Sequence, residues 1–112
     1  VTSLIIKKIE ENLGKRDGTN RLVGLWDSIL LEGQGTIPHF HENMEEIYYI
    51  ISGQALMTID GDTELVDEED IIYIPPNKNH SIRQTGDLPL RYITVSIDIR
   101  TNPRIPSQSH YI

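Results

Sequence analysis
The chain has 112 residues, no cysteine and a formal net charge of −7. Its length makes one domain able to bury a core unaided, and the lack of cysteine excludes a disulfide framework and thiolate chemistry. The ten Lys and Arg are scattered among seventeen Asp and Glu, which argues against a nucleic-acid partner. In chain order, the first apolar run, residues 4–9, carries Leu4 and Ile6 opposite Ile5 and Ile9. A strand apolar on both faces wants cover on both, so the run predicts an N-terminal strand added to a neighbour's sheet, and hence a homodimer. The run is too short for a signal segment, and no apolar stretch approaches the ~20 residues of a membrane span. These features point to a cytoplasmic protein without a membrane partner.

One helical turn is expected over residues 10–15. Short β-branched runs then follow at 22–31, 47–51, 55–59, 71–74 and 90–99, separated by turn signals as in a sandwich or barrel. Ser52-Gly53 and Asp60-Gly61 read as hairpin turns. Seven of the eleven residues from Asp60 to Asp70 are acidic and read as a solvated outer edge. Pro75-Pro76-Asn77 ends a strand, because proline cannot donate to the ladder. In the last run Ile93, Val95, Ile97 and Ile99 share one face, and Tyr92, Thr94, Ser96 and Asp98 share the other. That polar face either lines a pocket or is solvated. An irregular tail is expected over 100–112, with His110 a bystander.

The chemistry concentrates in P-H-F-H-E-N-M-E-E, residues 38–46, which holds two of the four histidines. In extended chain His39 and His41 point to one face, with Phe40 on the other. Neutral imidazole is the commonest metal ligand, and two on alternate positions can share one ion. Glu42, Glu45 and Glu46 are candidates for an added carboxylate. Downstream, the strand at 71–74 ends at Pro75-Pro76. The turn would return the chain at His80 and bring it to the first pair across a barrel.

These two stretches resemble the motifs of the cupin superfamily. The first motif, G-x(5)-H-x-H-x(3,4)-E-x(6)-G, is matched throughout by Gly33, His39, His41, Glu46 and Gly53. The second, G-x(5)-P-x-G-x(2)-H-x(3)-N, is matched at Pro75 and His80, with Glu69, Asn77 and Gln84 departing. Asn77 still tolerates the left-handed backbone that glycine supplies. The resemblance implies a double-stranded β-helix (jelly-roll) barrel over about residues 22–99, in a single domain spanning 1–112. It also implies a 3-His-1-Glu site of His39, His41, Glu46 and His80 for one divalent transition metal, whether Mn, Fe, Ni, Zn, Co or Cu. Glu42 and Glu45 become rim residues.

Alternation from Glu46 puts Tyr48 on the metal side, where its phenol could donate to a ligand as a catalytic group or simply fill the barrel. His80 shares its face with Ile82 and Gln84. Trp26 is expected in the core or an interface, or else as a pocket wall. Arg83 should point away from His80. No clamp for a carboxylate or phosphate is visible, which favours a neutral or metal-chelated ligand. The expected function is a small metal-dependent enzyme acting on a small organic molecule, of the dioxygenase, decarboxylase, isomerase or lyase type. A non-catalytic metal- or ligand-binding module is the alternative, and a purely structural barrel is disfavoured by the filled ligand set.

Overall fold
Alternation with period two dictates the architecture. The computed structural model describes residues 4–100, so the expected tail beyond Arg100, with His110, lies outside the described residues. Seven strands are formed: β1 (Leu22–Leu30), β2 (Met44–Ser52), β3 (Gln54–Ile59), β4 (Asp62–Val66), β5 (Ile71–Ile74), β6 (His80–Thr85) and β7 (Leu90–Asp98). They make two sheets, β1-β7-β2-β5 and β4-β3-β6, and every pairing is antiparallel. The fold is an all-β jelly roll. Among the described residues no helix is long and apolar enough to cross a membrane.

The hairpins are where the turn residues place them. Asp60 (φ 51°) and Gly61 (φ 89°) both take positive φ between β3 and β4, which two-residue hairpin loops favour. Gly53 (φ 88°) joins β2 to β3. A Cβ there would sit 2.5 Å from the Pro89 carbonyl oxygen, so both the turn and the close approach require glycine.

Two expectations need correction. Residues 4–9 are not a strand: residues 4–8 are irregular and Ile9–Glu11 forms a 3₁₀ turn, followed by a second at Lys15–Asp17. The single turn expected over 10–15 is thus replaced by two short ones. At the β1 edge the Leu25 N–H donates to the side-chain oxygen of Asn12 (2.9 Å), so a side chain occupies that amide within the chain. The acidic stretch also forms β4, because its register with β3 runs from Ala55 opposite Val66 to Ile59 opposite Asp62. Its side chains are largely exposed, as an outer edge requires.

The core lies between the sheets. Ile50, Ala55, Ile74, Ile82 and Leu90 are almost fully buried. The inward face of β7 is the polar one: Leu90, Tyr92, Thr94, Ser96 and Asp98 are all buried, while Ile93, Val95 and Ile97 are half covered on the outer face. The interior therefore grades from apolar at Leu90 to charged at Asp98. Each polar member at that end has partners. Ser96 bonds Glu46, and the Asp98 carboxylate receives Lys15 and Arg100.

Candidate metal centre
Residues 34–39 run along the free edge of β6. Thr36 N donates to Ile82 O (2.9 Å), and His39 and His80 exchange backbone hydrogen bonds of 3.0 and 2.8 Å. Such a pair sets two side chains side by side on one face. His80 therefore meets His39 as a strand neighbour rather than across the barrel. The ring centroids of His39 and His80 are 4.3 Å apart, and His41 lies 4.9 Å from His39 and 5.7 Å from His80. The turn that delivers His80 bends at Asn77 (φ 63°), whose N–H donates to His41 O (3.0 Å). One hydrogen bond thus ties the two histidine segments together.

Glu46 points inward from β2 and is buried. Its Oε1 lies 3.3 Å from both His41 Nε2 and His80 Nε2, and its Oε2 accepts from Ser96 Oγ (2.8 Å). Glu42 is exposed and outside this group. Glu45 faces the other way and accepts from the Tyr73 hydroxyl (2.7 Å). The structure thus separates the three glutamates, leaving Glu46 with the imidazoles.

The backbone fixes two tautomers. His39 Nδ1 donates to the Ile37 carbonyl (2.7 Å) and His80 Nδ1 to the Lys78 carbonyl (2.9 Å). A carbonyl only accepts, so in the neutral rings Nδ1 carries the proton and Nε2 keeps its lone pair. Ligand atoms of His39, His41 and His80 lie within 4.8 Å of one another, near the ~4.2 Å that is twice a metal–nitrogen bond. Glu46 Oε1 and His80 Nε2 are buried and neither makes a well-formed hydrogen bond. A buried carboxylate oxygen and imidazole nitrogen that face only each other and His41, at 3.3 Å, call for a shared proton or a cation between them. Both are metal donors, and their placement fits a divalent cation.

Electrostatics in the cluster are coupled. Burial works to raise the Glu46 carboxyl, but His80 and the Ser96 hydroxyl outweigh it and hold it below its ordinary value. Burial pushes the His41 imidazole down and dominates there. Burial also works against a charged His80, yet Glu46 and the Lys78 carbonyl raise it overall. A proton and a metal ion therefore compete for the same imidazole lone pair.

Tyr48 lies where the alternation places it. It is buried, 6.2 Å from His80 between ring centroids, and stacked against Tyr92 at 5.1 Å. Burial, with help from Glu46, pushes its hydroxyl well above the ordinary range, so it is a donor at any physiological pH. Beside the cluster a cavity of about 830 Å³ is lined by His39, His41, Glu46 and Tyr48 on one side. Trp26 and Ile37 stand at its wall, 41% and 83% exposed. Trp26 is therefore a pocket wall and not core, and Phe40 is exposed outside the cavity.

Gln84, at the last position of the second motif, serves structure. Its side chain accepts from Gly33 N (2.8 Å) and donates to Gly86 O and Leu88 O. Arg83 points outward and donates to Gly33 O (2.8 Å). The sequence reading did not single out Ser96 as the partner of Glu46, nor Val23, Thr36 and Ile37 as lining. The signal available for Ser96 was the alternation of β7, which gave its face but not which way that face turned.

Comparison with known proteins agrees with this geometry. A family model described as "Cupin domain" matches residues 27–96. An uncharacterized protein of Methanocaldococcus jannaschii is 42% identical over 72 residues, covering 64% of this chain and 58% of that protein. A mannose-1-phosphate guanylyltransferase of Escherichia coli is 36% identical over 63 residues, covering 56% of this chain and 13% of the enzyme. The matched segment is thus just over half of the first relative and a small part of the second. Among solved structures, a predicted oxalate decarboxylase of Thermotoga maritima superposes with a TM-score of 0.73 at 28% identity, covering 77% of this chain and 75% of that one.

Proposed function
The chain belongs to the cupin family, and from that premise we propose that His39, His41, Glu46 and His80 hold one divalent transition-metal ion at which a small organic molecule is transformed. The observation that carries this reading is the pair Glu46 Oε1 and His80 Nε2, 3.3 Å apart, buried and without well-formed hydrogen bonds, at the wall of a cavity of small-molecule size. A bound ion of this kind supplies Lewis-acid or redox chemistry to a ligand oxygen. The protein's part is positioning. The Ile37 and Lys78 carbonyls orient His39 and His80, and Ser96 holds Glu46, as outer partners of metal ligands do. Tyr48, kept protonated by burial, offers a hydrogen-bond donor to a ligand and is the candidate catalytic group. The structural relative described as a predicted oxalate decarboxylase supports carbon–carbon or carbon–oxygen chemistry on a small oxygen-rich molecule as the class to screen first.

The test is elemental analysis of purified protein, with mass spectrometry of any trapped ligand. About one divalent ion per chain is expected, lost on His41→Ala. Undiminished metal content in His41→Ala refutes the ligand set. Metal and ligand binding without turnover moves the assignment to a non-catalytic binding module.

A further inference from the structure
The sheet β1-β7-β2-β5 turns an apolar face outward. An antiparallel sheet with one side in water ordinarily carries its polar residues on that side. β7 reverses the rule: Tyr92, Thr94, Ser96 and Asp98 turn inward, while Ile93, Val95 and Ile97 turn outward. Residues opposite one another in register share a face. Leu25, Val95, Ile47 and Tyr73 therefore form one outward row across all four strands, and Ile93, Tyr49 and Ile71 form the next. Ile71, Tyr73 and Tyr49 are 71%, 52% and 39% exposed.

The charged side chains of this face are paired within it. Asp27 accepts from Arg91 through two hydrogen bonds of 3.1 and 2.6 Å, and Glu45 accepts from the Tyr73 hydroxyl (2.7 Å). The acidic strand β4 belongs to the other sheet. Covering the face thus strands no charge and asks no complementary charge of what covers it. The patch also continues past β1, where Ile5 and Ile6 share a cavity of about 330 Å³ with Leu22 and Leu25. β1, β7 and β2 each run nine residues, which at ~4.8 Å between strands and ~3.3 Å per residue gives a footprint of about 430 Å². β5 and the exposed side chains of Leu4, Ile5 and Ile6 take it past the ~500 Å² per partner at which specific interfaces begin.

We propose that this face is the docking surface for a second copy of the chain, with the two sheets stacked outer face to outer face about a two-fold axis. A two-fold interface needs a patch that complements itself. An apolar face whose charges are neutralised internally meets that condition, because it meets its own copy without like-charge contact. Sheets stacked so lie ~10 Å apart with their strands within about 30° of each other. The N-terminal segment extends this contact at the β1 edge and is not its centre. The same strands carry Glu46, Tyr48 and Ser96 on their inner sides, so the second copy backs the wall of the metal centre from outside.

Sedimentation equilibrium of the full chain tests this. The wild type should be dimeric at micromolar concentration. Tyr49→Glu and Ile71→Glu each place an unpaired carboxylate on the face of both copies and should weaken association at least about a hundredfold. Leu65 is as exposed as Ile71, at 71%, but stands on the outer face of the other sheet, so Leu65→Glu should change association by no more than about twofold. Because the substituted side chains are exposed, all three variants should keep the far-UV circular dichroism of the wild type. The chain has no cysteine, so Tyr49→Cys supplies a single thiol. A bismaleimide should link it across the dimer, and Leu65→Cys should stay unlinked; this readout holds even if a charged variant fails to fold. A monomeric wild type at micromolar concentration overturns the proposal. So does a dimer that tolerates Tyr49→Glu and Ile71→Glu, one that Leu65→Glu weakens equally, or one in which Leu65→Cys cross-links and Tyr49→Cys does not. A dimer dissociated by Ile6→Ser but by neither face variant places the contact in the N-terminal segment instead.

Discussion
Asp98 offers a sharp test of how the polar end of the barrel is held. It is 1% exposed, and its carboxylate accepts from the Arg100 backbone N–H (2.9 Å), from Arg100 Nη2 (2.6 Å) and from Lys15 Nζ. Asp98→Asn keeps the size but removes the charge and turns an NH₂ group toward two cations. Removing one partner of a buried ion pair costs about 3–5 kcal/mol. Here the Lys15 and Arg100 side chains are 30% and 17% exposed, so water recovers part of that, and about 2–3 kcal/mol is expected. For a domain of this size that is a fall in Tm of about 10–20 °C. The assay is urea denaturation of both proteins as a function of pH. The flanking cations and the Arg100 backbone N–H overcome burial and hold the Asp98 carboxyl far below its ordinary value of 3.8. Its contribution is therefore complete above that value and is lost as pH falls through it toward the folded value. The wild type should lose stability on acidification faster than Asp98→Asn, and the two should converge. A difference below about 0.5 kcal/mol at neutral pH, the scale of an ordinary surface change, or a gap that stays constant down to about pH 3, refutes the reasoning.

Four further outcomes are expected. Ser96→Ala removes the 2.8 Å donor to Glu46 and should cost about 1.5–3 kcal/mol in denaturation and at least about tenfold in zinc affinity by chelator competition. Glu69 takes φ 73°, where the second motif carries glycine, so Glu69→Gly should raise stability by about 0.5–1 kcal/mol; a loss would show that the Glu69 side chain matters more than its backbone. Tyr48→Phe should leave folding and metal content near normal and reduce turnover by about 10²–10⁴-fold if the phenol hydrogen-bonds the reacting ligand, and little if it only fills the barrel. A homodimer is expected because Leu4, Ile5 and Ile6 are 68%, 50% and 82% exposed beside the β1 edge. Sedimentation showing a monomer at micromolar concentration, and no change on replacing Ile6 by Ser, would remove that expectation.

The strands of the core were legible because period-two alternation and turn chemistry act locally. Asp60-Gly61 specifies its hairpin without reference to anything distant. What was not legible is what depends on neighbours. The two faces of β7 were separable in sequence, yet the direction each faced was set by β1 and β2 on either side and by partners for Ser96 and Asp98 that lie 50 and 83 residues away. Residues 4–9 have the composition of a strand but form none within the single chain, because a strand is defined by the edge it pairs with and not by composition alone. The site fared better, since the spacing of His39 and His41 fixes their common face once the chain is extended. How His80 joins them depended on the course of residues 34–39 along β6. β4 was hidden because it is charged and exposed along nearly all its length, so only its pairing with β3 defines it.

The gradient along β7, from Leu90 to Asp98, also bears on how such a protein changes over time. The apolar end couples both sheets through side chains that touch no ligand. The polar end carries the groups that would. Mutations that alter what is bound fall on different rows of the same strands from those that decide whether the chain folds. A lineage can therefore exchange Trp26, Thr36 or Thr94 and acquire a new ligand while Ile50, Ala55 and Leu90 keep the barrel closed, which is one physical route by which a single architecture comes to host many chemistries.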